Sequence, residues 1–389
     1  MCAVRSVAFL IPTIDRLAGA ERQVLLLARG MLERGWQVTV IALSGRGGEA
    51  AGELRATGVG FLTLEMRKGL ADPRGWIRFR RWLRQQSPDV VHAHLPHAAW
   101  MARWSRLFST QVIVDTVHTS STGTWGRRVG YRWSDFLPDC VTAVSRGVAC
   151  AYQSAAMVPR ARLVILPNGV DTDEWKPDAT SRARMRLELQ LENDFVWLAA
   201  GRLENVKDYP TMLRALALIP KPSQLLIAGG GALEPALRSL SDELGLQNRV
   251  RFLGFQPDVR QWMQAADGFV LSSRWEGLPM SLLEAGACTL PAVVTDVPGS
   301  CEIVEDGQNG FKAPAGDASA LAQAMMRIMQ LPQQDLRAMG LAARRRIEER
   351  YSLESVLDRW EGLYCDLLAK HSRRTPRRAR NAKQGAPRM

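Results

Sequence analysis

The chain of 389 residues is 46% hydrophobic and 23% charged, a globular composition with enough length for two cores and no apolar run long enough to span a membrane. Its six cysteines, at 2, 140, 150, 288, 301 and 365, include no Cys-x-x-Cys pair, which argues against a disulfide or zinc framework and for buried thiols in a reducing cytoplasm. The balance of 51 Lys+Arg against 39 Asp+Glu leaves +12, a charge that suits nucleic acid, an anionic membrane or an anionic substrate without choosing among them.

The apolar run at 7–11 is too short for the core of a secretory leader and ends at Pro12, so it predicts a first strand. A helix over 22–33 follows, with Val24, Leu27, Ala28 and Met31 at helical spacing and Gly35 beyond its end. Strands at 37–43, 60–64, 89–92, 111–117, 140–144 and 162–166 then alternate with helices at 48–56, 73–85, 97–107, 127–136 and 145–155. That alternation predicts a parallel sheet covered on both faces. Pro167-Asn-Gly-Val-Asp171, polar through Pro177, reads as a linker. Beyond it come strands at 195–200, 224–228, 249–252, 268–271 and 291–295, with helices from Lys207 to Leu218, at 233–244, at 259–265 and from Ser281 to Ala287. After Gly310 the chain reads as helical to about Lys370, broken near Pro332 and Ser352. The expected class is α/β, with two doubly wound, Rossmann-like parallel-sheet domains facing a cleft. They cover 1–166 and 167–370, with a hinge at 167–177 and closing C-terminal helices in the second. A basic, disordered tail at 371–389 carries seven Lys/Arg and no acid.

The most informative stretch is 272–287, Ser-Ser-Arg-Trp-Glu-Gly-Leu-Pro-Met-Ser-Leu-Leu-Glu-Ala-Gly-Ala. It reads as a Gly/Pro loop between a strand and a helix that Ser281 could cap. Amides of such a first turn suit an anion. Glu276 in the loop and Glu284 one turn into the helix suit polyhydroxyl groups such as a ribose or a sugar ring. Gly201-Arg202-Leu, with Lys207 after it, sits at another strand end, the ligand side of an open α/β sheet. Its two cations could clamp a diphosphate. Gly229-Gly-Gly231 invites a dinucleotide reading, but the third glycine of that fingerprint is Glu234 here, so an oxidoreductase is the weaker reading. His92, His94 and His97 follow a strand; the first two share a face and suit hydrogen-bonded structure better than a metal.

These features resemble the retaining glycosyltransferases of family 4, which have the GT-B fold and the pattern Glu-x7-Glu, matched at Glu276 and Glu284. The resemblance covers nearly the whole chain except the tail. It implies that Glu276 approaches the donor sugar and Glu284 binds the ribose. It assigns the distal phosphate to the loop amides, from Gly277 through Met280, Ser281 and Leu282. Gly201, Arg202 and Lys207 match the family's Gly-Arg-Leu-x-x-x-Lys motif, which neutralises the leaving diphosphate. Gly19 belongs to a loop that approaches the phosphates across the cleft, with Ala18 where the family has glycine. Gly230 lines the nucleobase pocket with the segment at 253–255, and His118 contacts the donor sugar. The sequence 167–171 resembles the family's hinge, and Pro298-Gly-Ser-Cys-Glu302 resembles a Gly-Gly-x-x-Glu motif. Gly286 and Thr289 stand where Met and Gly are usual.

The function expected is therefore retaining transfer of a sugar from a nucleoside-diphosphate sugar, most simply a UDP-sugar. The acceptor is a hydroxyl of a glycan or lipid-linked molecule in bacterial-type cell-surface polysaccharide synthesis. Arg202 and Lys207 can neutralise the leaving diphosphate, so no metal or other cofactor is expected. A nucleotide-sugar epimerase of the same fold is the nearest rival. A basic nucleic-acid-binding protein is the rival of another class, disfavoured because Glu276 and Glu284 would repel a phosphate backbone. Six of the twelve Trp lie between Trp76 and Trp133. In the helix at 73–85, Trp76, Phe79 and Leu83 share one face, and Arg74, Arg78 and Arg81 another. With the basic tail, this suggests a cytoplasmic enzyme held peripherally on the anionic inner face of the plasma membrane.

Overall fold

The structure is a computed structural model that describes residues 5–15, 19–67, 69–191, 194–220 and 222–374. Its first sheet contains β1 (Ser6–Ile11), β2 (Gln37–Ala42), β3 (Gly60–Thr63), β4 (Val90–His94), β5 (Val112–Val117), β6 (Cys140–Ala143) and β7 (Leu163–Ile165). The second contains β8 (Phe195–Ala200), β9 (Ser223–Ala228), β10 (Val250–Gly254), β11 (Gly268–Leu271), β12 (Ala292–Thr295) and β13 (Gly310–Ala313). Strand order is β3-β2-β1-β4-β5-β6-β7 in one and β10-β9-β8-β11-β12-β13 in the other, and every ladder is parallel. Both sheets are doubly wound, as expected.

The strand order reverses between β1 and β4 in the first sheet and between β8 and β11 in the second. At such a switch point the connections leave to opposite faces and open a crevice beyond the strand ends. The stretches singled out from the sequence leave these strands. The loop before Gly19 follows β1, Gly201 follows β8, and Ser272–Glu276 follows β11.

The central strands are buried along almost their whole length, which is why they are mostly apolar and rich in Val, Ile, Leu and Ala. Helices Pro73–Gln86, Pro96–Ser105, Trp125–Trp133 and Arg146–Ser154 supply Phe79, Met101, Tyr131 and Val148 to one core. Helix Gly19–Glu33 supplies Val24, Leu27 and Met31 to another, on the opposite face of the sheet.

The last helix, Leu353–Arg374, corrects the predicted division of the chain. Its Val356, Leu357, Trp360 and Tyr364 pack in the core of the first domain with the helix Gly19–Glu33, not in the second domain. Gly30 permits this approach, since a Cβ there would lie 2.2 Å from the Leu357 side chain. The returning chain also meets the linker. Val170 N–H donates to Tyr351 O and Leu353 N–H donates to Val170 O, both at 2.9 Å. The two domains are thus joined by two strands of chain pinned side by side.

The same helix continues to Arg374, so the tail expected from 371 starts at least four residues later. Residues 375–389 and Ala18 lie outside the described residues. Helix Ala179–Glu188 and strand β13 were not anticipated. Asp178 opens that helix, its carboxylate accepting the N–H groups of Thr180 and Ser181.

Candidate active site

The two switch points face one another across a cleft of about 860 Å³. It is lined by every residue assigned from the sequence except Leu282: Gly19, His118, Gly201, Arg202, Lys207, Gly230, Glu276, Gly277, Met280, Ser281 and Glu284. Leu282 is buried, and its N–H donates to Pro279 O at 3.2 Å.

The loop after β11 is held from both domains. Ser120 Oγ donates to Glu276 O at 3.1 Å, and Asn168 Nδ2 donates to Leu278 O at 3.3 Å. Gly277 lies so close to the opposite domain that a Cβ would fall 1.9 Å from His118 O. The helix that follows begins at Met280 with Pro279 at the cap position and no side-chain cap, so Ser281 is a first-turn residue, not the predicted N-cap. The first N–H groups of a helix have no partner within it. Those of Met280 and Ser281 therefore give the cleft an anion-binding end. Across the gap, a Cβ on Gly19, the first residue of helix Gly19–Glu33, would lie 3.4 Å from Met280 Cγ, so the two helix starts come close.

Lys207 and Glu276 come together. Lys207 Nζ lies 2.6 Å from Glu276 Oε1, which also accepts from Ser273 Oγ at 2.5 Å. Both charges are largely withdrawn from solvent, so their attraction is little screened. Arg202 is separate. Its side chain is 67% exposed and its Nη1 donates to Glu204 at 2.7 Å, so the two cations do not converge as the structure stands.

Glu284 is buried, 3.4 Å from Arg22 Nη1 of the first domain. Burial raises its carboxyl to about 7, against the opposing pull of the Arg22 charge. Arg22 was missed from the sequence; its place after Glu21 in a motif known for its backbone gave no sign of a side-chain role. Arg22 also donates to Pro257 O at 3.0 Å, closing the far end of the cleft.

The glycines at 229–231 serve the packing of neighbouring loops. A Cβ on Gly229 would meet Gly201 O at 1.9 Å, and one on Gly231 would meet Leu203 O at 2.5 Å. Gly230 alone has an open side, toward Phe255, whose ring is exposed at the cleft.

His118 forms part of the wall, and its Nε2 shares a hydrogen bond with Nδ1 of the buried His94 at 2.8 Å. Burial lowers the His118 imidazole to about 4. His92 is engaged elsewhere, Nδ1 with Tyr364 OH and Nε2 with Thr116 Oγ1, each at 2.6 Å. Among the described residues no three His, Cys, Asp or Glu side chains are grouped to hold a metal ion.

One further contact crosses the cleft. The Glu302 carboxylate accepts the N–H groups of Arg146 and Gly147, both at 2.9 Å, at the start of helix Arg146–Ser154.

The family model for Glycosyltransferase Family 4 matches residues 17–174, and that for Glycosyl transferases group 1 matches 181–346. A GDP-mannose-dependent alpha-(1-6)-phosphatidylinositol monomannoside mannosyltransferase of Mycolicibacterium smegmatis is 30% identical over 334 residues, 81% of this chain and 86% of the relative. The chain belongs to glycosyltransferase family 4. A second relative of this family-4 enzyme is the UDP-Gal:alpha-D-GlcNAc-diphosphoundecaprenol alpha-1,3-galactosyltransferase of Escherichia coli. It is 25% identical over 318 residues, 77% of this chain and 81% of the relative. Among solved structures, Anabaena Alr3699/HepE in complex with UDP and glucose superposes with a TM-score of 0.83 at 21% identity, over 93% of this chain and 100% of that one. The fold is GT-B, and the activity is glycosyl transfer.

Proposed function

We propose that this family-4 enzyme moves a sugar from a UDP-sugar to a lipid-linked or glycan hydroxyl, with retention of anomeric configuration and without a metal, on the cytoplasmic side of the membrane. The observation that carries the reading is the Lys207–Glu276 pair beside the free first-turn amides of helix Met280–Ala287, with the buried Glu284 farther in. A nucleoside-diphosphate sugar matches this order of groups. Glu284 accepts ribose hydroxyls, displacing Arg22. The amides of Met280 and Ser281 hold the distal phosphate, and Lys207 lies beside it. Glu276, already charge-balanced by Lys207, accepts hydroxyls of the sugar.

The bond from the anomeric carbon to the phosphate oxygen then breaks as the acceptor oxygen approaches on the same face. The acceptor's proton passes to the departing phosphate oxygen, and UDP leaves with it. Lys207, joined by Arg202 once it swings from Glu204, stabilises the charge gathering on that oxygen. The relatives named above support a nucleotide-sugar donor but differ in the base, since one uses UDP-galactose and the other GDP-mannose. Both are named for alpha linkages and for acceptors carrying a lipid, which supports retention and a lipid-linked acceptor.

The test is a donor panel of UDP- and GDP-sugars with lipid-linked and soluble acceptors in EDTA, read by product mass and by the anomeric proton coupling. An alpha product from an alpha-linked UDP-sugar is expected. An inverted product, or activity that EDTA abolishes, overturns retention or metal independence respectively. Conversion of the donor sugar without an acceptor favours the epimerase.

A further inference from the structure

The aromatic face of helix Pro73–Gln86 does not serve a membrane as its sequence suggested. Phe79 and Leu83 are buried in the core, and Trp76 is half-buried with its Nε1 donating to Leu70 O at 2.9 Å. The neighbouring helix Trp125–Trp133 carries the opposite arrangement. Its inner side is polar contact and close packing: Tyr131 lies under the Arg103 guanidinium, Gly130 against Trp100, and Arg127 donates to Tyr152 OH. By helical periodicity its outer side holds Trp125, Arg128, Arg132 and Trp133. Trp125 is 79% exposed and Trp133 75%.

This outer side belongs to a wider surface. Arg103 donates to Tyr131 O and Ser134 Oγ, and Arg106 to Leu137 O, fastening the preceding helix to this segment. The same two stretches leave Trp104, Leu107 and Phe136 exposed. Arg80, stacked over Phe108, links the surface to helix Pro73–Gln86. Between residues 73 and 136 the sequence has ten Arg and only three acids, Asp89, Asp115 and Asp135. Asp115 is buried on Arg103, so it offsets none of the exposed charge. Among the described residues, Arg128 and Arg132 have no carboxylate partner.

Burying two tryptophans with an adjacent Phe and Leu is favourable, while leaving them in water is costly. The arginines bordering them repel one another unless an anionic layer faces them. Indole rings at headgroup depth with Arg on anionic lipid satisfy both demands. The helix starts seven residues after His118, on the segment that leaves the cleft, so the surface runs outward from the cleft mouth.

We infer that Trp104, Leu107, Trp125, Trp133 and Phe136, with Arg128 and Arg132, form the face by which this enzyme docks on an anionic membrane. The cleft mouth is then held at the level of the lipid headgroups. The purpose of this arrangement rests on the lipid-linked acceptor proposed above; the docking itself does not.

The experiment uses the full chain with vesicles of phosphatidylcholine alone and mixed with phosphatidylglycerol, read by sedimentation and by tryptophan fluorescence. Binding should need phosphatidylglycerol, weaken with salt and shift the emission to the blue. The pair Trp125→Ser with Trp133→Ser, and separately Arg128→Glu with Arg132→Glu, should each weaken vesicle affinity by about tenfold or more. Melting temperature and calorimetric UDP affinity should stay at the parent values. Leu341→Ser, on an exposed apolar residue of the second domain, should bind vesicles like the parent. The docking assignment falls if the parent fails to sediment at low salt, or if both pairs bind as the parent does. It also falls if a single-stranded oligonucleotide displaces the vesicles, or if only replacement of Arg377, Arg378 and Arg380 by Ser abolishes binding. Intact, pair-sensitive vesicle binding without UDP binding or transfer supports the docking face and sinks the donor reading instead.

Discussion

Nδ1 of His94 and Nε2 of His118 lie 2.8 Å apart, so one proton is shared between two rings that burial keeps neutral. The other nitrogen of His94, Nε2, is buried without a partner. An orphaned N–H costs more than an orphaned lone pair, so the proton belongs on His94 Nδ1. His118 is then the tautomer with Nδ1–H, which in the function proposed above donates to a sugar hydroxyl. Nitrogen NMR of the ligand-free protein should show that tautomer. His118→Ala should impair transfer far more than UDP affinity or melting temperature. A large stability loss with unchanged specific activity would mark His118 as a packing residue only.

The same burial sets a pH dependence. Folded His118 titrates near 4, below the ordinary 6.5, and His92 and His94 are lowered in the same direction. The unfolded chain therefore takes up protons before the folded one does. The stability from these neutral rings is present above about 6.5 and is lost as pH falls toward 4. Denaturant midpoints measured across this range should drop, and they should drop less in His118→Asn.

Glu284 runs the other way. Its carboxyl is raised from 4.5 to about 7, so its contribution to stability is present below 4.5 and is lost as pH rises through 7. Ribose hydroxyls donate best to the ionised form, so nucleotide binding should release a proton. UDP affinity should rise about tenfold from pH 6 to pH 8 and then level off. Glu284→Gln should bind more weakly and lose the part of this dependence that the phosphate titration does not supply. Calorimetry of both proteins in buffers of different ionisation enthalpy measures the proton directly.

Lys207 and Glu276 should behave as a unit. In the proposed mechanism Lys207→Ala removes charge from the leaving diphosphate, and it leaves Glu276 partly buried without its cation. Turnover should fall roughly a hundredfold or more. Glu276→Gln should lower turnover with the sugar donor while UDP affinity stays nearly constant. The double variant should lose much less than the sum of the singles, since each removes the same ion pair. Arg202→Ala should reduce turnover with little effect on stability, because its side chain is largely exposed and its ion pair with Glu204 is screened by solvent.

Closure of the cleft should depend on Glu302. Its carboxylate crosses to the first two N–H groups of helix Arg146–Ser154, where a negative charge also meets the positive helix end. Hydrogen bonds to a charged group are worth about 1.5–3 kcal/mol each at most, so Glu302→Ala should weaken donor binding by roughly tenfold and raise the radius of gyration in solution scattering. Gly277→Ala tests the same closure by steric means, because its Cβ would meet His118 O at 1.9 Å. Unchanged scattering from both variants would show that neither contact sets the closure.

Two doubly wound sheets were legible because parallel strands buried on both faces must be apolar runs, and the helices between them must show one apolar stripe. The positions of Glu276, Glu284, Gly201 and Lys207 were legible for a local reason: each stands in the loop, short turn or helix start that follows a strand end, and short-range backbone geometry decides that. What the sequence could not hold was anything set by approach between distant segments. The stripe Leu357, Trp360 and Tyr364 says that the last helix packs, but not that it returns to the first domain. The stripe Trp76, Phe79 and Leu83 fits a core as well as a lipid surface, and only the sheet beneath it chose the core. Arg22 on Glu284, His94 on His118 and Glu302 on Gly147 join residues more than twenty positions apart, two of them across domains. Local propensity fixes elements; partners of buried polar groups are fixed only when the domains close and remove the water that would otherwise have satisfied them.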